Sequence, residues 1–282
     1  MSIDSFIPEI WDASILRTLE DNLVARKICH NYSDKVSKFG DTIHFQGLAD
    51  PAVTAYTAAD VSYENLDAAQ LSLIIDQRNY YAFDVEDIEH AMANCDLKGS
   101  QAARAAYALK KTADTKILTL YSQADAANVA TADAACTTAT IISDIGEVWQ
   151  KLAEQNVPEN SMWMVIPPWV KLKLQLAGIV FEINEGINGK GGMSWAKNEL
   201  GFDIYVTNQV YNSGTAAAPV SYVMAGSYNA IGYAETLNKS EALRAETRFT
   251  NHVRGLHVYG VKCIKPKELA YITLTYSAET AI

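Results

Sequence analysis

The chain has 282 residues, 49% of them hydrophobic and 20% charged, with a formal net charge of -10. That much apolar material supports a sizeable core, in one large domain or two closely joined ones, and excludes a compositionally disordered chain. The acidic balance argues against a general nucleic-acid binder, which neutralises phosphates with clustered Lys and Arg.

In chain order, Ser14 to about Cys29 is expected to be helical, because Ile15, Leu19, Leu23 and Val24 fall on one face. Ahead of it, Ile7, Ile10 and Trp11 are apolar residues near the start of the sequence, and such residues need a surface to lie on, here expected on a neighbouring subunit. The same stretch lacks a basic region followed by an apolar run, so it does not read as a signal peptide. No apolar run approaches the ~20 residues that a membrane-crossing helix needs.

Gly40-Asp41 opens an expected strand, Thr42 to Leu48, in which Ile43 and Phe45 alternate with polar residues. A polar, Ala-rich stretch follows from Ala49 to Ala69, and a second strand runs from Leu71 to about Phe83. Together they read as a long hairpin. Compact domains seldom carry connections that long without a use for them, so an arm that reaches another molecule is expected.

Val85, Ile88, Met92, Cys95, Gly99, Ala102, Ala106, Leu109, Ala113, Ile117 and Leu120 recur at steps of three and four. That stripe predicts one helix, about 50 Å long if unbroken. Asp84, Glu86, Asp87 and Glu89 would then occupy its first turns and Lys110, Lys111 and Lys116 its last, which complements the helix dipole.

Ser122 to Thr140 is expected to be a loop, followed by a helix with Ile141, Ile145, Val148, Trp149 and Leu152 on one face and ended by Pro158. A short strand, Trp163 to Ile166, stops at Pro167-Pro168, and a short helix runs from Trp169 to about Leu176. Gly186 to Gly192 reads as a loop, and strands are expected at Phe202–Thr207, Val220–Met224, Ala230–Glu235, Ala242–Thr247, Leu256–Ile264 and Ala270–Thr275. This order is α+β, without the regular alternation of a doubly wound sheet.

Motifs for chemistry are weak. Cys29, Cys95, Cys136 and Cys263 form no CxxC pair and read as reduced, buried thiols. Lys190 is followed by Gly191, so no Ser or Thr completes a phosphate-binding loop. Glu86 and His90 have metal-ligand spacing on a helix, but no second Glu-x-x-His accompanies them. None of the five histidines lies in HExxH, no GxSxG elbow is present, and His257 reads as a satisfied sheet residue.

Five segments, in order, resemble the coat-protein family of tailed bacteriophages with the Hong Kong 97-type fold. They are Ile7–Val24 with Gly40–Phe45, Leu71–Asn94, Asn156–Val170, Gly201–Val210 and Arg248–Ala270, and they span almost the whole chain. The resemblance implies an N-terminal arm at 1–39, an extended loop at 40–83 and a peripheral-domain spine helix at 84–121. It further implies an axial domain at 122–232 and peripheral-domain strands at 233–282. It implies a major capsid protein that self-assembles, as pentamers and hexamers, into an icosahedral shell enclosing double-stranded DNA. No catalysis and no cofactor, metal or membrane are implied. Ile7, Ile10, Trp11, Phe45, Leu48, Val53, Tyr56, Tyr63 and Leu66 are the expected subunit contacts.

The sequence has no long charged helical extension ahead of the arm, so either a separate scaffolding protein or a chain already trimmed is expected, and a portal and decoration proteins are further candidate partners. Asp50 to Gln70 contains no Lys, so a lysine cross-link from this loop is not expected. Assembly would take place in the cytoplasm of a bacterial host. The competing readings are an encapsulin-like compartment shell, which shares the fold, and an enzyme with a dispersed site.

Overall fold

The computed structural model describes residues 23–36, 42–47, 55, 69–86, 97–131, 135–178, 182–183, 193–195, 201–215, 218–244 and 249–277. In chain order the helices are α1 (Ala25–Ile28), α2 (Leu97–Leu118), α3 (Ile141–Glu154) and α4 (Pro168–Leu176). The strands before α2 are β1 (His30–Asn31), β2 (Thr42–Gly47), β3 (Ala69–Ile74) and β4 (Gln77–Glu86). Between α2 and residue 206 come β5 (Val129–Ala130), β6 (Met162–Ile166), β7 (Glu182–Ile183), β8 (Met193–Trp195) and β9 (Asp203–Val206). The last four are β10 (Val220–Ser227), β11 (Ile231–Arg244), β12 (Thr250–Cys263) and β13 (Leu269–Thr275).

These strands form a four-stranded sheet, β1-β11-β12-β4, a seven-stranded sheet, β5-β13-β10-β6-β9-β8-β7, and the β2-β3 hairpin. At the centre of the seven-stranded sheet, every residue of β6 is buried. A strand covered on both faces shows a continuous apolar run in place of alternation. Met162, Met164 and Ile166 point to a core shared with α3 and α4, whereas Trp163 and Val165 point to a second core shared with the end of α2.

On α3, Ile141, Ile145, Val148 and Leu152 are all fully buried against the first core. Burying each such side chain contributes roughly 1.5–3 kcal/mol. The helix ends before Pro158: Asn156 takes φ 59 and the N–H of Val157 turns back to the carbonyl of Leu152 at 3.2 Å. Asn tolerates this left-handed conformation, so it stops the helix without help from the proline. Gly201 has φ 75, and a Cβ there would lie 2.8 Å from the Trp149 indole nitrogen, so only glycine fits at the entrance to β9. Pro168 occupies the first turn of α4, where a missing N–H costs nothing. Lys173 of α4 is buried and donates to the carbonyls of Cys136 at 2.6 Å and Ser277 at 2.9 Å, fastening the end of the described chain to this helix.

Several expectations are corrected. Asp84, Val85 and Glu86 end β4 and are not the first turn of the long helix. Their pairing with His252, Asn251 and Thr250 on β12 outweighs their fit to a helical stripe. The described helix α2 has 22 residues, about 33 Å at 1.5 Å per residue, and runs through Gly99. Residues 87–96, including His90 and Cys95, lie outside the described residues. The helix expected from Ser14 is described only from residue 23 onward, where α1 has four residues and the chain is extended from His30. The strands expected at Ala230–Glu235 and Ala242–Thr247 are one strand, β11, with an irregularity between Glu235 and Leu237. Its polar middle, Asn238 to Ser240, resembles a turn in sequence but stays paired to β12. Finally, the strands after residue 233 divide: β11 and β12 lie in the four-stranded sheet, while β13 pairs with β10 in the seven-stranded one. The 233–282 segment is therefore not a single set of strands.

Candidate assembly surface

The expected hairpin is present at its base. β2 and β3 pair antiparallel from Thr42–Ile74 to Gly47–Ala69. The chain then bends at Ile75-Asp76 and continues as β4, so the hairpin grows directly out of the four-stranded sheet. Gly260 makes this joint possible, because a Cβ there would sit 2.4 Å from the carbonyl oxygen of Ile74. Of the nine expected contact residues only Phe45 is described. It is half-buried and meets the Tyr32 ring edge-on at 5.0 Å, packed against Leu73 and Ile75 of its own chain. Ile7, Ile10, Trp11, Leu48, Val53, Tyr56, Tyr63 and Leu66 lie outside the described residues.

The structure adds apolar residues that sequence reasoning missed. Register places Tyr80 of β4 directly opposite Leu256 of β12, on the face of the sheet turned away from α2. Tyr80 is 77% exposed and Leu256 36%. Further along β11 and its connection to β12, Leu243 and Phe249 are also exposed. Tyr80 and Tyr81 are adjacent, and a strand with aromatics on both faces is the signal that was available. On α4, Leu172 and Leu176 lie one turn apart and are 57% and 58% exposed. A third cluster stacks Tyr121, Tyr211, Tyr222 and Tyr271, with the Tyr121 and Tyr222 rings 4.5 Å apart. Grouped exposed apolar and aromatic residues mark surfaces that other molecules cover.

Charge frames the open sheet face. Arg254 holds Glu241 through Nε at 3.2 Å and Nη2 at 2.8 Å, and Lys239 also pairs with Glu241. These two cations hold the Glu241 carboxyl below its ordinary pKa. Asp84 pairs with His252 on the next rung.

Elsewhere three cysteines and His257 are wholly or partly enclosed. Cys136 and Cys263 are buried and Cys29 half-buried, all three as free thiols, and desolvation pushes the Cys263 thiol up to about 12. Such thiols are inert at neutral pH. His257 is only partly satisfied: Nε2 lies 3.3 Å from the Tyr233 hydroxyl, but buried Nδ1 has no hydrogen-bond partner among the described residues. Glu86 ends a strand, so helical spacing to His90 does not apply. Among the described residues no group of three His, Cys, Asp or Glu could hold a metal ion, and no helix is long and apolar enough to cross a membrane. The Gly186–Gly192 loop lies outside the described residues.

Comparison with known proteins bears on this arrangement. No curated protein matches the sequence significantly. Among solved structures, one from Mycobacterium phage Che8 is 22% identical with a TM-score of 0.78, covering 96% of this chain and 98% of that chain. The capsid of cyanophage P-SCSP1u is 15% identical with a TM-score of 0.75, covering 98% and 95%. The capsid of Ralstonia phage GP4 is 13% identical with a TM-score of 0.74, covering 98% and 97%. At these identities the likeness establishes the fold, which is the mixed helix and sheet architecture expected from the sequence. A phage capsid protein family model matches residues 75–272, a span that takes in α2 and most of both large sheets, and on that match the chain belongs to the phage capsid protein family.

Proposed function

We propose that the chain is the major capsid subunit of a tailed double-stranded DNA phage, assembling as pentamers and hexamers into an icosahedral shell that encloses the genome. The family match over residues 75–272 carries this reading. The exposed apolar residues on the four-stranded sheet and on α4 support it, since a shell subunit must bury such surface on its neighbours. Many weak, repeated contacts then give the shell a stability that no single interface has. The role is structural and needs no catalysis.

In this reading the four-stranded sheet and α2 form the peripheral domain, and the seven-stranded sheet with α3 and α4 forms the axial domain that meets its copies around the symmetry axes. The hairpin that begins at β2 and β3 extends over a neighbour. The net charge of -10 keeps the container from gripping DNA. A separate scaffolding protein, a portal and decoration proteins complete the particle, which forms in the host cytoplasm. Negative-stain microscopy of the protein, expressed with and without its gene neighbours, tests the reading. Closed shells that take up DNA when a portal and terminase are present support it. Shells that load only a cargo enzyme would instead indicate a bacterial compartment, and discrete small oligomers would rule out a shell altogether.

A further inference from the structure

Four tyrosines from distant parts of the chain meet beside the seven-stranded sheet. Tyr121 lies in the short helical turn Thr119–Gln123 that follows α2. Tyr211 comes from the connection after β9, Tyr222 from β10 and Tyr271 from β13. Tyr121 is the hub: its ring centroid lies 4.5 Å from that of Tyr222, with the planes tilted by 31°, 5.2 Å from Tyr271 and 5.4 Å from Tyr211. Stacked and edge-on rings attract one another, and Phe would serve that packing as well. The hydroxyls contribute little more to it. Among the described residues only the Tyr222 hydroxyl has a hydrogen-bond partner, the Ser213 hydroxyl at 3.5 Å. Desolvation, and then the three neighbouring phenols, raise the Tyr121 pKa, so the ring is a neutral phenol at neutral pH.

What a phenol adds to a packed ring is one-electron chemistry. Tyr211 is 41% exposed, so an oxidant in solution can reach it. From there the electron vacancy has short steps inward, 5.4 Å to Tyr121 and 5.3 Å to Tyr222. We propose that Tyr121 and Tyr222 are a cross-linking pair, joined ring to ring when hydrogen peroxide and a haem peroxidase oxidise the folded chain. Each phenol loses one electron to the peroxidase and its hydroxyl proton to water. The two phenoxyl radicals couple at the carbons beside the oxygens. The hydrogen on each coupling carbon then returns as a proton to its oxygen, which restores both aromatic rings. One peroxide accepts the two electrons and two protons and leaves as two waters. A centroid separation of 4.5 Å is close to that of two directly bonded six-membered rings, so the bond needs ring rotation and little backbone movement. The product fastens the end of α2 to the middle of the seven-stranded sheet and closes a loop of about 100 residues, which restrains the unfolded chain. The inference does not depend on the shell reading.

The test treats the full chain with peroxide and a haem peroxidase, then recovers the uncross-linked and cross-linked monomers. The parent chain should gain dityrosine fluorescence and lose the mass of two hydrogens. Proteolysis and mass spectrometry should find the Tyr121 and Tyr222 peptides joined. Proximity sets the expected contrast: Tyr121→Phe should lower the dityrosine of the monomer about tenfold, and Tyr271→Phe should change it less than about twofold. The cross-linked parent should also unfold at a higher urea concentration than the untreated parent, with no such shift in treated Tyr121→Phe. Peptide mapping of the parent chain decides the pair even if a variant misfolds. Joined peptides that map only to other tyrosines, such as exposed Tyr80 between two chains, overturn the inference, and so does a monomer yield that Tyr121→Phe leaves unchanged.

Discussion

Asp114, on the twenty-two-residue α2, caps a helix to which it does not belong: its Oδ2 accepts the backbone N–H of Val24 at 2.9 Å and that of Ala25 at 3.1 Å. The four-residue α1 has no side-chain cap of its own. A helix this short cannot persist alone, so the contact joins the segment before β1 to the end of α2. Burial raises the Asp114 pKa, and the backbone hydrogen bonds only partly oppose it.

Asp114→Ala should therefore destabilise the unassembled subunit by about 2–3 kcal/mol, because it strands two buried N–H donors. Asp114→Asn keeps one acceptor and should cost less than half of that. The raised pKa fixes a sign. Folded Asp114 holds its proton to higher pH than the unfolded chain does, so stability falls as pH rises through the window above the ordinary carboxylate range. Urea denaturation across that window measures it, and the slope should be smaller in Asp114→Asn.

His257 gives the opposite slope. Desolvation lowers its pKa, and neighbouring Glu235 only partly counters this. The folded state binds its proton less readily than the unfolded state does. Its contribution is complete above the unfolded value of about 6.5 and is lost as pH falls below it. Urea midpoints at pH 7.5 and 5.5 should differ more in the parent chain than in His257→Gln. Equal differences would contradict this account of the imidazole.

Gly260 lies under the bend between β3 and β4, and its missing side chain lets the Ile74 carbonyl approach. Gly260→Ala must displace backbone, not a movable side chain, and should cost about 1–3 kcal/mol or more. Gly146→Ala is the control, since nothing lies within 4 Å of a Cβ there. Thermal denaturation should show a lower midpoint for Gly260→Ala and none of that loss for Gly146→Ala.

The sequence made some of this legible and concealed the rest for definite reasons. The helix at Ile141–Glu154 and the buried strand at Met162–Ile166 carry their own apolar pattern, so each was readable locally. Asp84 to Glu86 was not, because acids before an apolar stripe look like a helix start, and only the distant partners on β12 make them a strand. The membership of β13 in the second sheet is likewise a pairing across some fifty residues, invisible to periodicity. Phe45, named among the expected subunit contacts, is half-buried, and a ring contact with Tyr32 of the same chain, some thirteen residues away, is not readable from alternation. Tyr80 and Leu256 were missed because each looks like an ordinary strand residue until the register sets them side by side.

Tyr80→Glu with Leu256→Lys should leave the fold intact, since both positions are exposed and the opposite charges face each other across one rung. The change should reduce shell yield by about tenfold or more if this face is buried between subunits. Negative-stain particle counts against a circular dichroism control measure both effects. Normal shells would remove this face from the assembly surface.

The most direct test of shell building uses the hairpin. Gly47 and Ala69 are direct partners at its described end, so a two-residue Asn-Gly turn can replace residues 48–68 and close the base without strain. Sedimentation velocity then compares the parent chain with this shortened one. The account predicts shell-sized particles from the parent chain, and a folded species of subunit or small-oligomer mass from the shortened chain. Shells of normal size and yield from the shortened chain would contradict the role of the hairpin in joining copies, and a parent chain that sediments only as a small oligomer would contradict the shell itself.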